Sequence, residues 1–335
     1  LRVGITGYGL AGRYFHAPFL RAAGFEVIGA TTSNPERIAH LKEDFPNAIA
    51  YSDVADLLAQ DLDLLVVASA NVAHASDAIA GLRAGVAVVV DKPMGRTYAE
   101  AKSIADEAHE TGSLLTTFFN RRWDSDALTI KKAIGEGVLG NIFRIDSRFE
   151  RFREDANPSS WRERSTAAEG GGNLLDLQPH LISLALDWFG PAEIQYSSVR
   201  SIRGLADDDV VLVLRHASGV DSYLSASAIV GAPGPRIRLM GSKGALVITD
   251  LDKQESLLRS GTFPELGGWT VDTKTPAYIH RGDEILEYPA EPGDYTAFYR
   301  QVAEAIRGNG LMPVSLEDAL EVARLVDQAR EISVR

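Results

Sequence analysis

Short apolar runs punctuate the first 120 residues, at Val3–Thr6, Val27–Thr31, Leu64–Ala68, Val86–Val90 and Leu114–Phe118. Between them the apolar residues fall at helical spacing: Ile38, Leu41 and Phe45 in one segment, Ala78 to Ala84 in another, and Ala101 to Ala108 in a third that Gly112 closes. Buried strands alternating with helices predict βαβ units, wound right-handed into a parallel sheet. After Phe119 the pattern changes. Asp124 to Gly135 predicts a helix, and in "IFRIDSRFERF" Phe143, Ile145 and Phe149 alternate with charged residues, as in a half-exposed strand. A polar connection, 151–172, leads to a helix over Asn173–Phe189. Strands then follow at 194–202, 209–216, 220–229, 235–240 and 245–249, with few helices between them, which predicts an open, mostly antiparallel sheet. Helices at about 294–307 and 315–331 close the chain. The expected fold is α/β in two domains. Residues 1–119 form a doubly wound, Rossmann-like dinucleotide domain, and 120–335 form a substrate-binding and oligomerisation domain whose last helix is free to return to the first.

The glycines give the first domain a ligand. In "VGITGYGLAGRYFHAPF", Gly7, Gly9 and Gly12 form G-x-G-x-x-G between a predicted strand and a predicted helix. That spacing allows a tight turn and close backbone approach to a pyrophosphate, with Leu10 and Gly12 at the mouth of the helix. A carboxylate about 20 residues further on would hold the ribose diol of NAD. The chain has Thr31, Thr32, Ser33 and Asn34 there, with Arg37 a turn later. Hydroxyls and a guanidinium suit a 2′-phosphate, so NADP is favoured over NAD, although Arg37 also fits an ordinary solvated helix position. Asn71 and His74 follow the fourth strand and are expected near the cofactor.

Two further motifs carry chemistry. "VVVDKPMG" sets Lys92 one residue past a buried strand, where ligands of open parallel sheets sit. A lysine there needs a partner or a task, and Pro93 fixes the backbone beside it, a cis bond being one way. "LLDLQPHLI" spaces Asp176 and His180 to share one helix face, an arrangement that orients an imidazole as a general base, or equally a surface pair. His40, His109, His216 and His280 lack ligand spacing and are expected at the surface, and no metal site is apparent.

Taken in order, "GYGLAGRYFHAPF", "VVVDKPM", "FFNRRWDSD" and "LLDLQPHLI" make the whole chain resemble the glucose–fructose oxidoreductase/inositol dehydrogenase (Gfo/Idh/MocA) family. Within it the resemblance is strongest to NADP-dependent scyllo-inositol dehydrogenases, through Asn120 to Asp124. The resemblance implies that Lys92, Asp176 and His180 are catalytic: His180 takes a hydroxyl proton, Asp176 orients, and Lys92 stabilises the developing alkoxide. Asn120, Arg121, Arg122 and Trp123 are candidate substrate residues, although the arginines also suit a bracing role. Trp161, Arg162 and Tyr295 are weaker candidates. The chain departs from the family pattern at Ala70 (usually Pro), Asp91 (usually Glu), Phe119 (commonly His) and Ser183 (usually Asp), and Ser33 replaces an arginine of the most similar members.

Composition narrows the partners. The net charge of −12 and pI near 5.1 argue against nonspecific binding to nucleic acid or anionic membrane. No apolar run nears the ~20 residues that span a bilayer. With no cysteine, thiolate nucleophiles and disulfides are excluded. The chain opens on "LRVGIT" without Met, which leaves a trimmed leader open, and a cytoplasmic location is the expectation. The favoured activity is NAD(P)-dependent oxidation of a cyclic polyol or sugar by a homodimer or homotetramer assembled through the second sheet. Two alternatives stay open: a glycosidase that uses tightly bound NAD transiently, and a nucleotide-sensing regulator without chemistry.

Overall fold

The computed structural model describes residues 1–157 and 160–333. The chain forms two compact units. The first comprises 1–120, 255–271 and 294–320, and the second 121–254, 272–293 and 321–335.

In the first unit, β1 (Arg2–Thr6), β2 (Glu26–Thr31), β3 (Ile49–Tyr51), β4 (Leu64–Val67), β5 (Ala87–Asp91) and β6 (Leu115–Phe118) form one parallel sheet ordered β3-β2-β1-β4-β5-β6. This is the doubly wound order, with its switch point between β1 and β4. The central strands are apolar on both faces because helices cover both: Val3, Ile5, Leu64 to Val67 and Val88 to Val90 are fully buried. Capping residues begin the helices as the sequence chemistry dictates. Asn34 accepts the Arg37 N–H ahead of Pro35–Asp44, and Thr97 accepts the Glu100 N–H ahead of Tyr98–Thr111, which ends at Gly112 in the left-handed conformation.

The second unit is built on an eight-stranded sheet: β7 (Ile142–Glu150), β8 (Ala192–Arg200), β9 (Asp209–His216), β10 (Asp221–Ser227), β11 (Ile237–Gly241), β12 (Gly244–Ile248), β13 (Ala277–Arg281) and β14 (Glu284–Tyr288). Its order is β14-β13-β12-β11-β7-β10-β9-β8, antiparallel except where β7 meets β10. One face packs Ile145, Ile237, Leu239, Leu246, Ile248 and Ile279 against Ile130 and Ala133 of the helix Ser125–Glu136. Residues between these along each strand point the other way.

Three features depart from the sequence reading. The helix expected over Asn173–Phe189 is two, Asn173–Asp176 and Gln178–Phe189, joined at Leu177. Pro179 explains the break, since its ring and missing N–H disrupt a continuous helix but are tolerated in the first turn of a new one. His216, expected at the surface, is buried, with Nδ1 at 2.8 Å from the Gly190 carbonyl and Nε2 at 2.8 Å from Ser222 Oγ. Burial pulls its pKa down. The hairpin β13–β14 was not expected at all.

Candidate active site

The glycine loop has the shape a dinucleotide requires. Gly7 adopts φ +83°, and a Cβ there would strike the Ala68 carbonyl at 2.8 Å; a Cβ on Gly12 would lie 2.2 Å from the Gly7 carbonyl oxygen. Only glycine permits this approach. The chain becomes helical at Leu10, and the Arg13 N–H donates back to the Gly9 carbonyl at 2.9 Å. The first-turn N–H groups thus stand where a pyrophosphate would be held. The Gly7 N–H donates to both the hydroxyl and the carbonyl of Thr31 at 3.1 Å, tying the loop to the end of β2.

Thr32 and exposed Ser33 follow β2, and exposed Arg37 returns toward the loop: a Cβ on Gly9 would come within 3.4 Å of its guanidinium carbon. A cationic side chain therefore borders the loop from the side of the second strand, and Thr32, Ser33 and Asn34, which follow that strand, include no carboxylate. These residues fit a phosphorylated ribose.

Lys92 is half-buried, the first residue after β5, and the peptide joining it to Pro93 is cis. Its own N–H donates to Asp91 Oδ1 at 2.9 Å. Nearby, His74 is 1% exposed, with Nδ1 at 2.9 Å from the Pro93 carbonyl and Nε2 at 3.2 Å from the Ser69 carbonyl. His74 thus joins the end of β4 to the turn after β5. Half-buried Asn71 opens the short turn before it. Asn120 is buried at the close of the first unit, just after β6. Tyr295 is fully buried in this unit, edge-on to Phe19 at 5.4 Å.

In the second unit, His180 is 6% exposed in the first turn of Gln178–Phe189, and Asp176 is half-buried at the end of the preceding helix. The His180 and Phe149 rings pack in a T-shaped arrangement with their centroids 6.3 Å apart. Phe149 is the hub of this side: Arg236 stacks on it at 4.0 Å and Arg121 at 5.5 Å. Arg122 donates from Nε to Ser183 Oγ at 2.8 Å and pairs with Asp187 at 3.5 Å, so it braces the helix that carries His180. Trp123 is buried, and its carbonyl accepts from Gln254. The side chains of Trp161 and Arg162 lie outside the described residues. Phe149 and Arg236 escaped the sequence reading because, singly, they are a strand aromatic and a strand arginine.

The start of the Asp176 helix is held by Asp207, whose Oδ1 accepts the Leu174 N–H at 2.7 Å. Gly172 leads into it at φ +91°, where a Cβ would collide with that carboxylate. Burial pushes the Asp207 carboxyl up to about 6, against the Leu174 N–H and Arg330, which lower it. The folded state therefore binds this proton more tightly than the unfolded one, and stability falls as pH rises from about 4 to about 6. Asp207→Asn keeps an acceptor but no charge. Relative to wild type it is expected to gain about 1–2 kcal/mol at pH 7 and little at pH 4. Urea unfolding at both pH values checks this; a pH-independent difference would contradict it.

Comparison with known proteins agrees with the architecture. Residues 1–119 match the family model "Oxidoreductase family, NAD-binding Rossmann fold", and residues 131–333 match "Oxidoreductase family, C-terminal alpha/beta domain". The chain is 33% identical to scyllo-inositol 2-dehydrogenase (NADP(+)) IolW of Bacillus subtilis, covering 99% of this chain and 94% of that protein. It is 29% identical to levoglucosan dehydrogenase of Pseudarthrobacter phenanthrenivorans over 98% and 95% of the two chains. The solved structure of yvaA from Bacillus subtilis is similar with a TM-score of 0.87 at 31% identity, over 99% of this chain and 96% of that one. The glycine cradle, the two sheets and these matches lead to one conclusion: the chain belongs to the Gfo/Idh/MocA family of oxidoreductases, and its residues 1–119 are that family's NAD-binding Rossmann fold.

Proposed function

We propose that the protein oxidises one CH–OH of a cyclic polyol or sugar, inositol-like in size, with NADP preferred over NAD. The observation that carries this reading is Lys92, set at the carboxyl end of β5 in a sheet whose ligands lie at that end. Full-length likeness to a scyllo-inositol dehydrogenase supports the substrate class. A bound nicotinamide dinucleotide supplies the hydride acceptor. The chain supplies the rest: His180 receives the hydroxyl proton, Asp176 orients the base and substrate, and the Lys92 ammonium favours the alkoxide as charge develops on oxygen. Asn120 and Arg121 contact other hydroxyls, and buried Trp123 shapes the wall. On this reading the first unit holds the cofactor and the second the substrate. The strand face turned away from the core carries exposed Tyr223 and Tyr278, with Arg144 over the Tyr223 ring at 5.4 Å. Such a face supports assembly into a dimer or tetramer. Light scattering reads the mass, and a monomer at micromolar concentration would contradict this.

The test is absorbance at 340 nm across a panel of inositols and monosaccharides, with NADP and NAD in parallel. Reduction of NADP by at least one cyclic polyol is expected. Arg37→Ala is expected to raise KM for NADP about 10-fold or more, the loss of a charge-assisted hydrogen bond, and to leave KM for NAD nearly unchanged. Equal losses for both nucleotides would remove the case for a 2′-phosphate contact.

A further inference from the structure

His16 has no part in the reading above, yet it is 0% exposed and stands beside Asp91. It ends the stretch Ala11–His16, which is wound as a π-helix, a rare conformation frequent at functional sites. Its Nδ1 lies 2.5 Å from Tyr299 Oη, and its Nε2 lies 3.7 Å from Asp91 Oδ1. Among the described residues Nε2 makes no hydrogen bond, and the Asp91 carboxylate is the acceptor it faces. Phe118 covers the imidazole with ring centroids 4.4 Å apart, and Phe25, Phe118 and Phe298 enclose the Tyr299 ring.

These partners assign the tautomer. An ionised Asp91 only accepts, so Nε2 carries the proton and Nδ1 accepts from the Tyr299 hydroxyl. Burial, then the charge of Asp91, push the Tyr299 phenol far up, which keeps it a donor. Burial also pushes the Asp91 carboxyl up, but the adjacent His16, then the charges nearby at Lys92 and His74, outweigh it and hold the carboxyl below its usual range. The same Asp91 oxygen that faces His16 accepts the Lys92 N–H. A buried imidazole in an aromatic cage is more costly than a phenyl ring unless its nitrogens are used.

We propose that His16 is a positioning residue for Lys92. Tyr299 sets the imidazole, the imidazole presents its Nε2–H to the Asp91 carboxylate, and that carboxylate accepts the Lys92 N–H and so fixes the backbone that carries the Lys92 side chain. The proposal deepens the function given above and rests on Lys92 acting in catalysis.

Three replacements separate packing from positioning. His16→Phe keeps the ring and removes both nitrogens. His16→Gln returns a donor near Nε2, and His16→Asn returns a polar atom only near Nδ1. Steady-state kinetics with NADP and the best polyol are expected to show kcat down about 10- to 100-fold in the Phe and Asn variants, the scale of a small misplacement of a reacting group. KM for the polyol and Kd for NADP should stay near wild type, and Gln should recover most of kcat. A second readout needs no turnover: hydrogen exchange of the Lys92 amide, followed by NMR, is expected to be faster in the Phe and Asn variants than in wild type or Gln. Wild-type kcat in His16→Phe would overturn the proposal. So would equal losses in Gln and Phe with Lys92 exchange unchanged, because packing alone would then account for His16. If His16→Phe does not fold, the Gln and Asn pair decides by the same two readouts. If Lys92→Ala retains full turnover, the functional reading fails, while the exchange measurement still tests the link from His16 to Lys92.

Discussion

Lys92→Ala is expected to lower kcat by about 10²- to 10³-fold, the usual cost of losing one donor to a developing oxyanion, while NADP binding persists. On the proposed reading the nucleotide is held chiefly by the glycine loop and the helix it opens, where Gly7 and Gly12 are packed too closely for any side chain. Lys92 instead follows β5, on the strand end where the substrate carbon is expected. Its charge matters most as the alkoxide forms, so the loss falls on kcat more than on KM. Lys92→Arg is expected to recover little, because a planar fork does not replace a compact ammonium. His180→Ala should lose a comparable factor, about 10²–10⁴ for a general base, and the double variant should lose little more than the worse single one. Stopped-flow absorbance with saturating NADP measures these factors. Turnover in Lys92→Ala within about twofold of wild type would contradict the assignment, being far short of the loss of an oxyanion donor.

Arg236→Met is expected to destabilise the second unit by about 3–5 kcal/mol, the range for breaking a buried ion pair from one side. Arg236 Nε lies 3.0 Å from Asp126 Oδ2, with the two side chains 1% and 0% exposed. The guanidinium also donates to Ser147 Oγ at 2.8 Å and the Arg148 carbonyl at 3.1 Å, and it stacks on Phe149. Removing it leaves the Asp126 carboxylate buried without its cation. Asp126→Leu combined with Arg236→Met is expected to regain much of that loss, since no lone charge remains. Because Phe149 is the ring against His180, Arg236→Met should also reduce kcat at temperatures where it is fully folded. Denaturant unfolding of the two single variants and the double variant measures the coupling. Additive effects would show that the pair does not act as a unit.

The parts of the fold that were legible in the sequence are those where burial dictates residue type. β4 and β5 are covered on both faces, so Leu64 to Val67 and Ala87 to Val90 read as continuous apolar runs; β9 is legible at its observed bounds because Val210, Leu212 and Leu214 alternate inward. The hairpin β13–β14 was not legible because β14 is exposed along most of its length and has no apolar alternation to betray it. The break at Leu177 is hidden in the sequence because apolar periodicity runs through it, and Pro179 is its one signal. The burial of His216 is not legible because a lone histidine without ligand spacing looks the same whether it bonds water or, as here, Gly190 and Ser222.

The candidate site divides the same way. Glycine spacing and the strand-end lysine are local patterns, whereas Asp176 and His180, expected on one helix face, lie on the two helices that meet at Leu177. What surrounds these residues is not local: Arg122 reaches Ser183, and His16 reaches Tyr299 across 283 positions of sequence. Such pairings follow from tertiary packing, and spacing along the chain cannot express them.

The central claim is that hydride passes from a ring carbon of the substrate to the nicotinamide and leaves with it. A polyol deuterated at the reacting carbon, incubated with NADP and the enzyme, tests this directly by mass spectrometry of the nucleotide. The account predicts one deuterium in the reduced nucleotide, with one equivalent of ketone formed. Deuterium absent from the nucleotide and retained in a rearranged or hydrolysed product would contradict it, and would point instead to transient oxidation within a closed cycle.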